Sequence, residues 1–217
     1  SGEALWNALG TILAEADHGE NAEPGEAEID PLAALLGFCL WGNRIDLSYD
    51  AVAALGHDDV DGELLLVNEL DQARAYLEGP AGTYRPVHIV TDNAGTELAA
   101  DLALCDHLLT ATERCVYLHV KFYPTYVSDA TARDVHELVD AMRRCETGAA
   151  PAAVRGLGER LHDHRDDGRL RVVPDLFWNS PMFYDALPQR LRRPFSEAAL
   201  VVLKGDMNYR RLIGDAV

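Results

Sequence analysis

Basic residues are scarce in this chain. Its 217 residues hold 19 Lys and Arg against 36 Asp and Glu, a formal net charge of −17. Such a field repels nucleic-acid phosphates and anionic head groups, so neither nucleic acid nor membrane is expected as a partner. A local pocket can still oppose the field and hold a small anion. Cysteine is also sparse: Cys39, Cys105, Cys115 and Cys145 form no CxxC pair and no zinc-like spacing with histidine. That excludes a zinc ribbon or finger. Three of the four lie in apolar or amphipathic runs (FCLW, LALCDHLL, RCVYLHV) and read as core thiols, which fits a reducing, cytoplasmic setting. No apolar run approaches ~18 residues, so no membrane-spanning helix is expected. The first residues carry no signal-peptide pattern. Internal repeats and low-complexity stretches are absent as well.

What remains is an ordinary globular composition, 48% hydrophobic and 25% charged, in a length that suits one α/β domain with a small helical annex. Residues 1–30 are expected to form an N-terminal helical segment (3–17) and an acidic loop (18–30). Residues 31–217 are expected to form the α/β domain. Within it, 31–48 reads as a buried helix that turns at Gly42, and LLLV within 63–77 as a short strand feeding a helix. Strands are then expected at 86–92, 114–124, 169–175 and 197–206, and helices at 96–112, 129–145 and 150–164. Alternating strands and helices imply a three-layer α/β/α fold around a mostly parallel sheet.

Ligands of open parallel sheets bind beyond the carboxyl ends of the strands, near a topological switch point. Three expected strand ends are rich in polar residues: TDNAGTE, KFYPTYVSDAT and VVLKGDMNYRRLIGD. Asp92 and Asn93 offer hard oxygen donors on a loop fixed by the preceding strand, and Asp129 offers another at the start of the next helix. With waters, three such donors suit an octahedral Mg²⁺- or Mn²⁺-type site with room for a phosphate. Each signal also has a plain structural meaning: Asx residues before glycine form turns, and Asp129 reads equally as a helix N-cap. Lys204 is a candidate phosphate contact or a solvated strand end, and Gly205 would let backbone amides approach an anion. Asn208, Tyr209 and Arg210 follow within a turn. Lys121, Asn43 and Arg44 are further candidates for substrate binding, although Arg44 alone reads more readily as a salt-bridge partner. His88 and His119 alternate with apolar residues and read as core. His162 and His164, in LHDHRDDGR, read as a solvated helix end.

Four segments in this order, LWGNRIDLS, DNAGTELAADLAL, HVKFYPTYVSDAT and LKGDMNYRRLIGD, resemble the DUF89 damage-control phosphatases. The nearest branch is the one that includes the acidic-residue methyltransferase-like proteins. The likeness runs from about residue 35 to the last residue. It implies a metal-dependent phosphatase with an α/β/α fold and an attached helical region. It also implies a divalent cofactor, Mn²⁺, Co²⁺ or Ni²⁺ with Mg²⁺ sometimes serving, held by Asp92, Asn93 and Asp129. These three would be the catalytic residues; the sequence does not distinguish a metal-bound water from an aspartate as nucleophile, and water is taken as the working hypothesis. By the same resemblance Glu97 belongs to the DNAGxE motif, and Lys204, Gly205, Asp206, Asn208, Tyr209 and Arg210 to a substrate-binding KGDxNYR segment. The implied substrates are small phosphorylated metabolites, sugar phosphates of the fructose 1-phosphate or fructose 6-phosphate type. The family pattern has a longer helical N-terminal region and continues into an Arg-Thr-x-Lys motif whose lysine contacts phosphate. Neither lies within these 217 residues, so the chain is expected to be part of a longer protein.

Three other readings compete. One is an S-adenosylmethionine-dependent carboxyl methyltransferase, yet the turn D-N-A-G-T-E lacks the glycine-rich pattern of a nucleoside-binding turn. Another is a repurposed metal-site biosynthetic enzyme, and a third is a non-catalytic ligand-binding module. A haloacid-dehalogenase-type phosphatase is not expected, because no D-x-D-[TV] loop follows the first strand.

Overall fold

The computed structural model describes residues 2–20, 31–45, 67, 69–80 and 82–214. Helices α1 (Gly2–Glu20), α2 (Pro31–Ile45) and α3 (Leu70–Glu78) precede the first strand, β1 (Val87–Val90). There follow α4 (Thr96–Thr110), β2 (Val116–Lys121), α5 (Ala132–Arg143), α6 (Pro151–Asp166) and β3 (Leu170–Asp175). Two 3-10 turns, Leu176–Asn179 and Tyr184–Ala186, then lead to α7 (Gln189–Glu197), β4 (Leu200–Leu203) and α8 (Asp206–Leu212). The expected LLLV strand and most of the 18–30 loop lie outside the described residues.

All four strands are parallel, in the order β3-β2-β1-β4. The chain therefore steps from β1 through β2 to β3 in one direction and returns past β1 to lay down β4. Right-handed crossovers then require α4, α5 and α6 on one face of the sheet and α7 on the other. The side chains sort accordingly, alternating along each strand. Val87, Ile89, Val116 and Leu118 enter a core shared with α1, α2, α4, α5 and α6. Val90 enters a smaller core with Phe177, Trp178, Leu187 and Leu191. The expected α/β/α sandwich is observed, with a thin second helical layer. Among the described residues no helix is long and apolar enough to cross a membrane, and all four cysteines are free thiols.

Several elements differ from the sequence reading, among them the first domain helix, which continues through Gly42 to Ile45. The strand expected at 197–206 spans only 200–203, because 189–197 is helical. Asp129 is not a cap: Thr131 caps α5 in a reciprocal box with Asp134. The LHDHRDDGR segment is helical through Asp166, and His164 is buried there against Arg169, 2.8 Å from its Nη2.

On the thin face, His88 and His119 are buried side by side, with Nδ1 of His88 2.8 Å from Nε2 of His119. Phe195 and Trp178 pack edge-on against these rings. Burial lowers His88 to about 4, and burial with the neighbouring imidazole lowers His119 to about 3. Both rings are neutral in the fold, whereas in the unfolded chain they take protons near pH 6.5. The stability they contribute is thus present above about pH 6.5 and falls as pH drops toward 4 and 3, by roughly 1.4 kcal/mol per pH unit for each group. Urea unfolding at pH 7 and pH 5 should show this loss, and His119→Leu should flatten it. An equal slope in that variant would assign the acid sensitivity to other groups.

Candidate active site

The strand order reverses between β1 and β4, so the crevice favoured for ligands opens where these two strands end. Asp92 and Asn93 leave β1 there, and Lys204 and Gly205 leave β4. The loop after β2 reaches across to them: Asn93 and Asp129 form an isolated antiparallel bridge. The Ala130 amide donates to the Asp92 carbonyl at 2.9 Å, and the Ala94 amide to the Ser128 carbonyl at 2.7 Å. Two loops from adjacent strands are thereby locked in register.

The side chains are held as tightly as the backbone. Asn93 Nδ2 donates to Asp92 Oδ2 and to Glu97 Oε2, each at 3.0 Å, while Ser128 Oγ donates to Asn93 Oδ1 at 2.6 Å. Asp129 Oδ2 accepts from the Thr125 and Tyr126 amides at 2.9 and 2.8 Å and lies 3.7 Å from Lys121 Nζ. Oδ1 of Asp92 and Oδ1 of Asp129 have no hydrogen-bond donor among the described residues. Burial, helped by the charges of Glu97 and Asp129, raises the Asp92 carboxyl to about 6, against the opposing pull of Lys121 and Lys204.

Behind these groups lies a buried ionic cluster. Lys204 Nζ is 3.2 Å from Glu97 Oε1 and 2.7 Å from Asp101 Oδ1, and Cys39 Sγ donates to the same Asp101 oxygen at 2.9 Å. Burial disfavours the charged lysine, but Asp101 and Glu97 outweigh burial and keep it an ammonium. The Lys204 charge is therefore taken up inside the protein. Gly205 has φ +85°, and a Cβ there would collide with the Asp92 carboxylate, so only glycine lets the β4 turn pass this close. Asn208 is buried and ties that turn down, donating to the Lys204 carbonyl at 2.9 Å.

The structure thus gathers Asp92, Asn93, Glu97, Asp129, Lys121, Lys204 and Gly205. Asp206, Tyr209 and Arg210 are exposed on α8. Asn43 and Arg44 belong to the last turn of α2, and their side chains lie outside the described part. Sequence reasoning missed Asp101, Cys39 and Asn179. Asp101 had one available signal: it stands one helical turn after Glu97 within an apolar helix. Asn179 secures the loop after β2 by accepting from the Phe122 amide at 2.9 Å and donating to the Tyr123 carbonyl at 2.7 Å. A pocket of about 330 Å³ opens beside this loop, with Lys121, Tyr126, Trp178 and Asn179 among its walls.

Does the donor set suit a divalent ion? Among the described residues no three His, Cys, Asp or Glu side chains form a ready metal cage. Two carboxylates and a carboxamide do meet, and ions that retain several waters need no more than that. Charge points the same way. The four carboxyls of Asp92, Glu97, Asp101 and Asp129 face two ammonium groups, Lys121 and Lys204, and a dication would balance the remainder. The residues fit such an ion.

Residues 15–217 match the family described as the damage-control phosphatase ARMT1-like domain. The chain belongs to that family. Among curated relatives, damage-control phosphatase ARMT1 of Rattus norvegicus is 35% identical over 216 residues, covering 88% of this chain and 46% of that protein. The Mus musculus protein is 32% identical, covering 98% and 52%, and the Homo sapiens protein 31% identical, covering 86% and 45%. This family member therefore spans about half the length of the curated relatives it matches. A solved DUF89 family protein from Pyrococcus horikoshii shares the fold, with a TM-score of 0.52 at 14% identity over 97% of this chain and 62% of that one.

Proposed function

We propose that the chain is a metal-dependent phosphatase of small phosphorylated metabolites. Sugar phosphates of the fructose 1-phosphate or fructose 6-phosphate type are the leading substrates, and the cytoplasm is its setting. The observation that carries the reading is the meeting of Asp92, Asn93 and Asp129 at the switch point, with more negative charge than the local lysines balance. Membership of a family whose relatives are named phosphatases supports it.

Asp92, Asn93 and Asp129 would hold Mn²⁺, Co²⁺, Ni²⁺ or Mg²⁺. Bound there, such an ion supplies charge neutralisation to a phosphoryl group as its P–O bond breaks. Asn93 is aimed by Ser128 and Glu97, and Asp129 by the Thr125 and Tyr126 amides, so neither needs to reorganise during reaction. Lys121, at the border of site and pocket, brings a cation toward the substrate. Lys204 acts from behind, fixing Glu97 and through it Asn93.

The test is phosphate release from a panel of sugar phosphates by metal-stripped protein to which each of the four ions is restored in turn. Release that depends on the ion, from fructose 1-phosphate or fructose 6-phosphate, is expected. Silence across the whole panel with metal bound would overturn the reading.

A further inference from the structure

The pocket beside β2 and β3 has a charge pattern opposite to that of the chain. Lys121, Arg210 and Arg211 line it, and among the described residues no Asp or Glu does, in a protein of net charge −17. Arg211 is the unusual member, only 3% exposed. Its Nε donates to the Met182 carbonyl at 2.8 Å and its Nη2 to the Phe177 carbonyl at 3.0 Å. The guanidinium also lies 4.6 Å from the centre of the Phe177 ring. These neighbours orient the cation without bringing a full negative charge, and no carboxylate among the described residues pairs with it. Its Nη1 has no hydrogen-bond partner among them, nor has Nε1 of Trp178 in the same wall. A guanidinium cannot shed its charge in a protein, and burying one without a counter-ion is unfavourable. Lys121 differs, since Asp129 shares its charge. That contact places the candidate metal ligand at one border of the pocket.

We propose that this pocket is a second anion subsite, where Arg211 meets a carboxylate or a second phosphate on the substrate while the scissile phosphoryl group lies at Asp92, Asn93 and Asp129. The position of the scissile end rests on the phosphatase reading; the demand for an anion rests on Arg211 and its pocket. A volume of about 330 Å³ admits a metabolite-sized molecule. Among small phosphate monoesters, sugar phosphates included, those with a second negative group would bind more tightly than those without one.

Glycerol 3-phosphate and 3-phosphoglycerate differ by one carboxylate and make the test. Their binding to the Mn²⁺-loaded wild-type chain is measured by calorimetry, with phosphate release from the sugar-phosphate panel read in parallel. Because a hydrogen bond to a charged group contributes about 1.5–3 kcal/mol, 3-phosphoglycerate should bind roughly 10- to 100-fold tighter. Arg211→Gln should erase that preference and Arg211→Lys should restore part of it. Equal affinity of the two probes for the wild-type chain overturns the proposal without any variant. So does a preference that survives in folded Arg211→Gln. Preference without phosphate release would keep the subsite and remove the phosphatase reading. Release with equal affinities would do the reverse.

Discussion

Lys204→Met is expected to lower stability by about 3–5 kcal/mol, the penalty typical of breaking a buried ion pair from one side. A domain of this size is held by only about 5–15 kcal/mol, so the variant should be largely unfolded at temperatures the wild type withstands. The reason is the position of the ammonium. Lys204 is 4% exposed, and its partners Glu97 and Asp101 are 5% and 0% exposed. Without it, two carboxylates share a dry space in which, among the described residues, only the Cys39 thiol and the Asn93 amide remain as side-chain donors. The measurement is urea unfolding of wild type and variant, read by circular dichroism. A loss below about 1 kcal/mol would mean that the ammonium faces solvent or substrate, as an exposed pair contributes no more than that.

This lysine also shows where sequence alone stops. At the end of VVLK, a charge after an apolar strand reads as a solvated end or a ligand contact, because its neighbours in the chain are all that can be read. Its partner is 103 residues away, on the inner face of α4. Asp101 was missed for the matching reason, since an acid inside a helix normally marks the solvent side. Adjacent Arg210 and Arg211 are likewise indistinguishable in the sequence, yet one is exposed and the other buried. The sheet was far more legible. Alternating apolar runs marked all four described strands to within a few residues, and the polar DNAG segment marked the switch point, because both are local patterns. The stretch from Leu176 to Glu197 was opaque. Pro181, Pro188 and Pro194 interrupt its periodicity, and α7 buries only Leu191 fully. The same stretch supplies Trp178 and Asn179, so the pocket could not be foreseen.

Asp92→Asn separates function from stability more sharply than any other change. Activity should fall on the order of 10³-fold or more, since even one uncharged donor to a transition state contributes about 10² to 10³, and Asp92 supplies a full charge to the donor set. The fold should not suffer. Asp92 ionises reluctantly because burial and the Glu97 and Asp129 carboxylates disfavour its charge, which puts its carboxyl near 6. Its folded value lies above its unfolded one, so its effect on stability is favourable below about pH 4 and is lost as pH rises through 6. At pH 7 the carboxylate is a strain on the metal-free protein. The asparagine keeps an oxygen to accept from Asn93 Nδ2 and removes the charge, so the metal-free variant should melt at or above the wild-type temperature. Adding Mn²⁺ should then raise the melting temperature of the wild type, because a ligand stabilises the state that binds it, and leave the variant unmoved. A variant that keeps its phosphatase activity, or melts below the wild type without metal, would remove Asp92 from the metal site. Charge crowded here at the expense of stability is the pattern expected of a cation-binding site, and a purely structural loop would have no use for it.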